Sequence, residues 1–136
     1  MSGRTTKKRL PASIGPHSGR ELQLMLSGEK PMAAFYAEPG VADEDVGDAD
    51  FKPYVEARTI LKFVFNDPAL KGQRRCYCLP TEEWRGKLSN MLFALTMDSA
   101  FRREFTTDDL HRMDGTLLGY AKADIEYFIR KTKSNT

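Results

Sequence analysis

One proline divides the stretch that most constrains this chain. Arg74-Arg75-Cys76-Tyr77-Cys78-Leu79 alternates as a strand does, and Pro80 then removes a backbone donor and ends any ladder. Directly behind it, Thr81 is placed to cap a helix over 82–97, with Glu82 and Glu83 at the positive end of its dipole. Trp84, Leu88, Met91, Leu92 and Leu95 recur at helical spacing, so they define the face expected to pack on a sheet, with Trp84 as a core anchor. Gly86 weakens that helix on propensity alone. A strand that gives way abruptly to a long amphipathic helix belongs to a layered α/β architecture.

The remaining pattern supplies the other layers. Arg58–Phe65 is rich in β-branched and aromatic residues and ends at Asn66-Asp67-Pro68, so 58–66 is expected to pair antiparallel with 74–79. Leu61, Phe63 and Phe65 share one face, and Lys62 marks the wetter one. On the mate, Arg75 and Tyr77 face one way and the two cysteines the other. Met32–Ala37 reads as a further strand, preceded by a short helix that a Ser18/Glu21 capping box would open and Gly28 would close. Phe51–Glu56 reads as a turn of helix with Pro53 near its start. Towards the C-terminus, Thr106 or Thr107 with Asp108 and Asp109 caps a helix carrying Leu110, Met113, Leu117 and Leu118. Gly119 turns the corner, and 121–131 brings Ile125, Phe128 and Ile129 inward. The fold class is α+β: a small antiparallel sheet of about three strands (32–37, 58–66, 74–79), packed by an amphipathic helix and closed by a C-terminal helical hairpin. Residues 1–17 form a flexible basic arm, 18–131 a single domain and 132–136 a polar tail.

With 136 residues the chain is long enough to bury a core of its own. No apolar run approaches the roughly 20 residues of a membrane span, and no apolar segment follows the basic N-terminus as a signal peptide requires. A cytoplasmic protein without membrane contact is the expectation. Cys76 and Cys78 are two apart on a strand, about 6.5–7 Å, which is too far for an unstrained disulfide. With no matching Cys or His pair elsewhere they fall short of a structural zinc site, and they read as small apolar residues. No metal or cofactor is implied.

Charge is more informative in its placement than in its sum of +2. Residues 1–20 hold Arg4, Lys7, Lys8, Arg9 and Arg20 and no acid; Glu38–Asp50 holds Glu38, Asp43, Glu44, Asp45, Asp48 and Asp50 and no base. The acidic segment misses the ligand spacing of an EF-hand loop and reads as a surface. Such segregation steers association with a charged partner. Phosphate loops, dinucleotide fingerprints and zinc-protease motifs are absent, and a Cys76 or Cys78, His111 and Asp114 constellation has no local signature. The function expected is therefore a non-enzymatic protein-binding module, such as a regulator, an immunity-type inhibitor or a mobile-element accessory protein. Its partner-binding residues are Arg4, Lys7, Lys8, Arg9, Asp43, Glu44, Asp45 and Asp48. The alternative is a nucleic-acid-binding protein, in which residues 1–20 track phosphates and Leu117–Ile125 provides a helix-turn-helix-like hairpin. Asp124 and Glu126, standing where base and phosphate contacts are made, weigh against that second reading.

Overall fold

The computed structural model describes His17 and residues 19–134. Three strands, β1 (Met32–Ala37), β2 (Leu61–Asn66) and β3 (Gln73–Cys78), form an antiparallel sheet in the order β1-β3-β2. Around it lie α1 (Glu21–Leu26), α2 (Lys52–Glu56), α3 (Glu83–Leu95), α4 (Ser99–Glu104), α5 (Thr107–Leu117) and α6 (Lys122–Ser134). The α+β class and the C-terminal helical pair are as the pattern predicts.

The central strand β3 is covered on both faces, and the alternation of its side chains decides what meets each layer. Cys76 lies opposite Ala34 and Phe63, and Cys78 opposite Met32 and Leu61. This face packs under α3 and α5, where Met32, Cys76, Cys78 and Leu117 are buried with Phe63, Leu88, Leu92 and Leu118 against them. On the other face, Tyr77 joins Met25, Ala33, Phe51 and Ile60. Both thiols are free and inaccessible, and burial pushes the Cys78 thiol up to about 12.

Several boundaries depart from the sequence pattern. The β2 strand starts at Leu61 and not at 58, because α2 ends in a left-handed turn at Arg58 (φ 63°). There Thr59 and Ile60 amides both donate to the Tyr54 carbonyl, which occupies their backbone donors locally. Helix α1 has Arg20 at its N-cap position without a side-chain bond from that residue, and Ser18, expected to open the helix, lies outside the described residues. Thr81 is not a cap either. Pro80–Glu82 form a 3-10 turn, closed by Glu82 N–H donating to Leu79 O at 2.8 Å, and α3 begins behind it at Glu83. A helix not anticipated, α4, is capped by Asp98, whose carboxylate accepts from the Ala100 and Phe101 amides.

The largest correction concerns which side of α3 faces the sheet. Gly86 and Ser89 are buried and Phe93 packs edge-on against Phe65, 5.1 Å between centroids. Trp84 is 51 % exposed and Met91 55 % exposed, with the Arg85 guanidinium 4.6 Å over the indole. Small residues let the helix approach the sheet closely, and the helix has rotated to use them. The larger apolar stripe is left on its shoulder, with Leu88 and Leu92 reaching α5.

Helices α5 and α6 close the fold as a pair. The Thr106 hydroxyl accepts from Asp109 N–H and the Asp109 carboxylate accepts from Thr106 N–H, a complete capping box. Gly119 (φ 89°) makes the corner, and a Cβ there would stand 2.3 Å from Pro31 Cδ, so the close approach also requires glycine. Lys30, buried just before β1, donates to the Leu118 carbonyl at 2.7 Å and lies 4.5 Å from the Tyr120 ring centre. Its ammonium therefore ties the sheet to the corner. His17 stacks on the outside of Tyr120 at 4.2 Å and stands 2.9 Å from the same ammonium.

Candidate functional site

The acidic segment that leaves β1 is not a free loop. It folds back on the sheet as two 3-10 turns, Asp43–Asp45 and Ala49–Phe51, separated by Gly47. Two anchors fix it. Phe51 is driven into the core against Tyr77 (4.4 Å between centroids) and Phe35 (5.5 Å). Asp48, only 5 % exposed, receives the Tyr77 hydroxyl at 2.5 Å and Arg75 Nη1 at 3.1 Å to each carboxylate oxygen. Burial, and then the bond to Asp48, push the Tyr77 hydroxyl well above the usual phenol range, so it remains a donor at any ordinary pH.

Arg75 is the organising residue of this clamp. Beyond Asp48, its Nη2 donates to Asp43 at 2.7 Å and its Nε to Gln73 Oε1 at 2.7 Å. Arg75 and Tyr77 are two apart on β3 and share a face, so one strand presents both donors to one carboxylate. A buried acid is tolerable only with such pairing. The result is a segment whose backbone is held to the sheet while Asp43, Glu44 and Asp45 remain exposed above it. Lys52 and Lys62 border the same open groove.

Of the acids expected to bind a partner, Asp43, Glu44 and Asp45 are brought together at the surface. Asp48 stands apart from them: it is buried, and its carboxylate accepts from Tyr77 and Arg75 beneath it. Arg4, Lys7, Lys8 and Arg9 lie outside the described residues. The clamp residues Arg75 and Tyr77 were not singled out from sequence. The signal was present as an arginine and a tyrosine on one face of a central strand, but the acid they would meet lies 27 residues from Arg75 in sequence.

The other candidates are dispersed. His111 lies edge-on to Phe128 at 5.4 Å, and no hydrogen bond links it to Cys76 or Cys78 among the described residues. Asp114 pairs with Arg74 at 2.8 Å. In the hairpin, Glu126 accepts from Arg112 Nε at 2.7 Å and from Nη2 at 3.1 Å, which directs the acid of α6 onto α5. No group of three or more potential metal ligands occurs among the described residues, and no described helix is long and apolar enough to cross a membrane. Comparison with known proteins found no matching family model, no matching curated protein and no matching solved structure.

Proposed function

We propose that this chain is a non-enzymatic protein-binding module that recognises a basic protein surface through its acidic segment. The observation that carries the reading is the Arg75–Asp48–Tyr77 clamp, which holds the segment in one conformation with Asp43, Glu44 and Asp45 outward. A loop ordered before binding loses less conformational entropy on association than a free one. Several carboxylates on one small face attract a basic partner over a distance comparable to the Debye length, about 10 Å at 0.1 M salt. The reading predicts fast, salt-sensitive association with a partner rich in lysine and arginine.

The test compares capture from lysate, with and without nuclease treatment, by the wild-type chain and by a Glu44→Lys/Asp45→Lys variant. Both positions are exposed, so the fold should be unaffected. A basic protein retained by the wild type, released by moderate salt and lost with the variant supports the reading. Capture indifferent to the charge reversal would overturn it. Material that disappears with nuclease would favour the nucleic-acid alternative, whose affinity should fall by orders of magnitude between low and moderate salt.

A further inference from the structure

On the opposite side of the sheet from the clamp, α3 and α5 diverge around a cavity of about 230 Å³. Leu92, Phe93, Leu110 and Met113 give it an apolar wall. Its cationic groups converge from different elements: Arg74 from β3 and Arg102 from α4, with the His111 imidazole from α5 beside them. A second cavity of about 310 Å³ adjoins it, with His111 and Asp114 lining both and Tyr120 and Phe128 on the far side. Together the two spaces reach the size range of small-molecule pockets.

The polar end of the first cavity is incompletely satisfied. Arg74 Nη2 donates to Ser89 Oγ at 3.0 Å and to Asp114 at 2.8 Å, and the guanidinium lies 5.2 Å from the Phe93 ring centre. Its Nε, however, is buried with no acceptor among the described residues. A buried donor that forfeits its hydration leaves this end of the cavity with an under-compensated guanidinium. The charge count agrees. Asp114 balances Arg74, whereas Arg102 forms no ion pair among the described residues, leaving the cavity with an excess positive charge. An apolar wall beside an unmatched cation selects an anionic head on an apolar body.

We propose that the cavity between α3 and α5 binds a small carboxylate carried on an aromatic or branched aliphatic frame. The carboxylate meets Arg102 at the positive end of the cavity, and the frame lies against Phe93, Leu110 and Met113. This site is independent of the acidic segment and of the partner proposed for it.

The experiment is a titration of the full chain, followed by amide chemical shifts, with 1-naphthoate and its neutral counterpart 1-naphthalenemethanol. The proposal expects saturable shifts centred on residues 92–93, 102 and 110–114 with the acid, and binding about tenfold weaker for the alcohol, the effect of losing one charge-assisted hydrogen bond. Arg102→Gln, at an exposed position, should weaken the acid by several-fold and leave the alcohol unchanged. Equal affinity for acid and alcohol would reduce the site to an apolar hole and overturn the proposal. So would shifts confined to other surfaces, or no saturable shift at millimolar naphthoate. Wild-type-like shifts in Arg102→Gln without ligand establish that the variant is folded; should they differ, Arg102→Lys with unaltered fold and retained preference for the acid serves the same comparison.

Discussion

Gly86→Ala is a substitution for which helix propensity and tertiary packing predict opposite signs. In a helix interior, alanine in place of glycine is worth about 1 kcal/mol of added stability. In this structure the new Cβ would stand 2.3 and 2.6 Å from two ring carbons of Phe63 and 2.8 Å from the Cys78 sulfur. Carbon atoms pack at about 3.5–4.0 Å, so the ring would have to recede by more than about 1 Å. Neither neighbour can yield freely. Cys78 is fully buried on the central strand, and Phe63 packs against the same cluster beneath α3. Overpacking of a filled core costs about 1–3 kcal/mol, and a clash of this depth belongs near the top of that range. After the propensity gain the net expectation is a loss of about 2 kcal/mol, or about 6 °C in Tm for a chain of this size. Urea unfolding followed by far-UV circular dichroism and by Trp84 fluorescence should show a lower midpoint at unchanged m-value. Lys87→Gly, one residue along on the exposed side, should lose about 1 kcal/mol from propensity, with the exposed ion pair to Glu83 adding about 0.3 kcal/mol. Phe63→Leu should relieve part of the Gly86→Ala penalty in a double-mutant cycle, since the two groups are in contact. A Gly86→Ala protein more stable than wild type would refute the close approach of α3 to the sheet, and with it the rotated packing that leaves Trp84 outside.

Three further outcomes follow from the same geometry. Tyr77→Phe removes the hydroxyl that Asp48 accepts and should cost about 1.5–3 kcal/mol, the range for a hydrogen bond to a charged group; hydrogen exchange should quicken across 43–48, and unchanged protection there would count against the clamp. Cys76 and Cys78 should react with a chromogenic aromatic disulfide near neutral pH only through opening of the fold, so labelling rates should track urea stability, and immediate reaction of the native protein would contradict their burial. His17 is held neutral, its pKa lowered to about 4 by burial first and then by Lys30 and Arg20. The unfolded chain therefore binds this proton between about 6.5 and 4 while the native one does not. Its stacked contact is fully stable above that window and weakens as pH falls through it; nuclear magnetic resonance titration of the imidazole should give a depressed midpoint, and a midpoint near 6.5 would mean the ring is not docked.

Elements whose cause is local were legible in the sequence. The cap at Thr106 or Thr107, the Gly119 corner, the strand at 32–37 and the alternation that divides Tyr77 from the cysteines rest on backbone geometry and nearest neighbours, so the residues themselves specify them. The acidic surface of Asp43, Glu44 and Asp45 was legible for the same reason, as a run of charge. What depended on distant partners was not. A helical stripe of Trp84, Met91 and Leu95 looks like a core face by hydrophobicity, yet burial was decided by fit: Gly86 and Ser89 allow α3 within reach of Phe63 and Cys78, which larger side chains would prevent. Asp48 read as one more surface acid until Arg75 and Tyr77 were placed beneath it. The cavity beside Arg74 likewise exists only where β3, α3, α4 and α5 meet. By itself the sequence determined the three strands and every helix but α4, their inward and outward alternation along the sheet, and the segregation of charge. Only the tertiary structure decided which face of α3 is buried, which acid is spent inside the fold, and where an unsatisfied donor is left. Those depend on packing and pairing across the chain, and a one-dimensional period carries no information about the distance of closest approach.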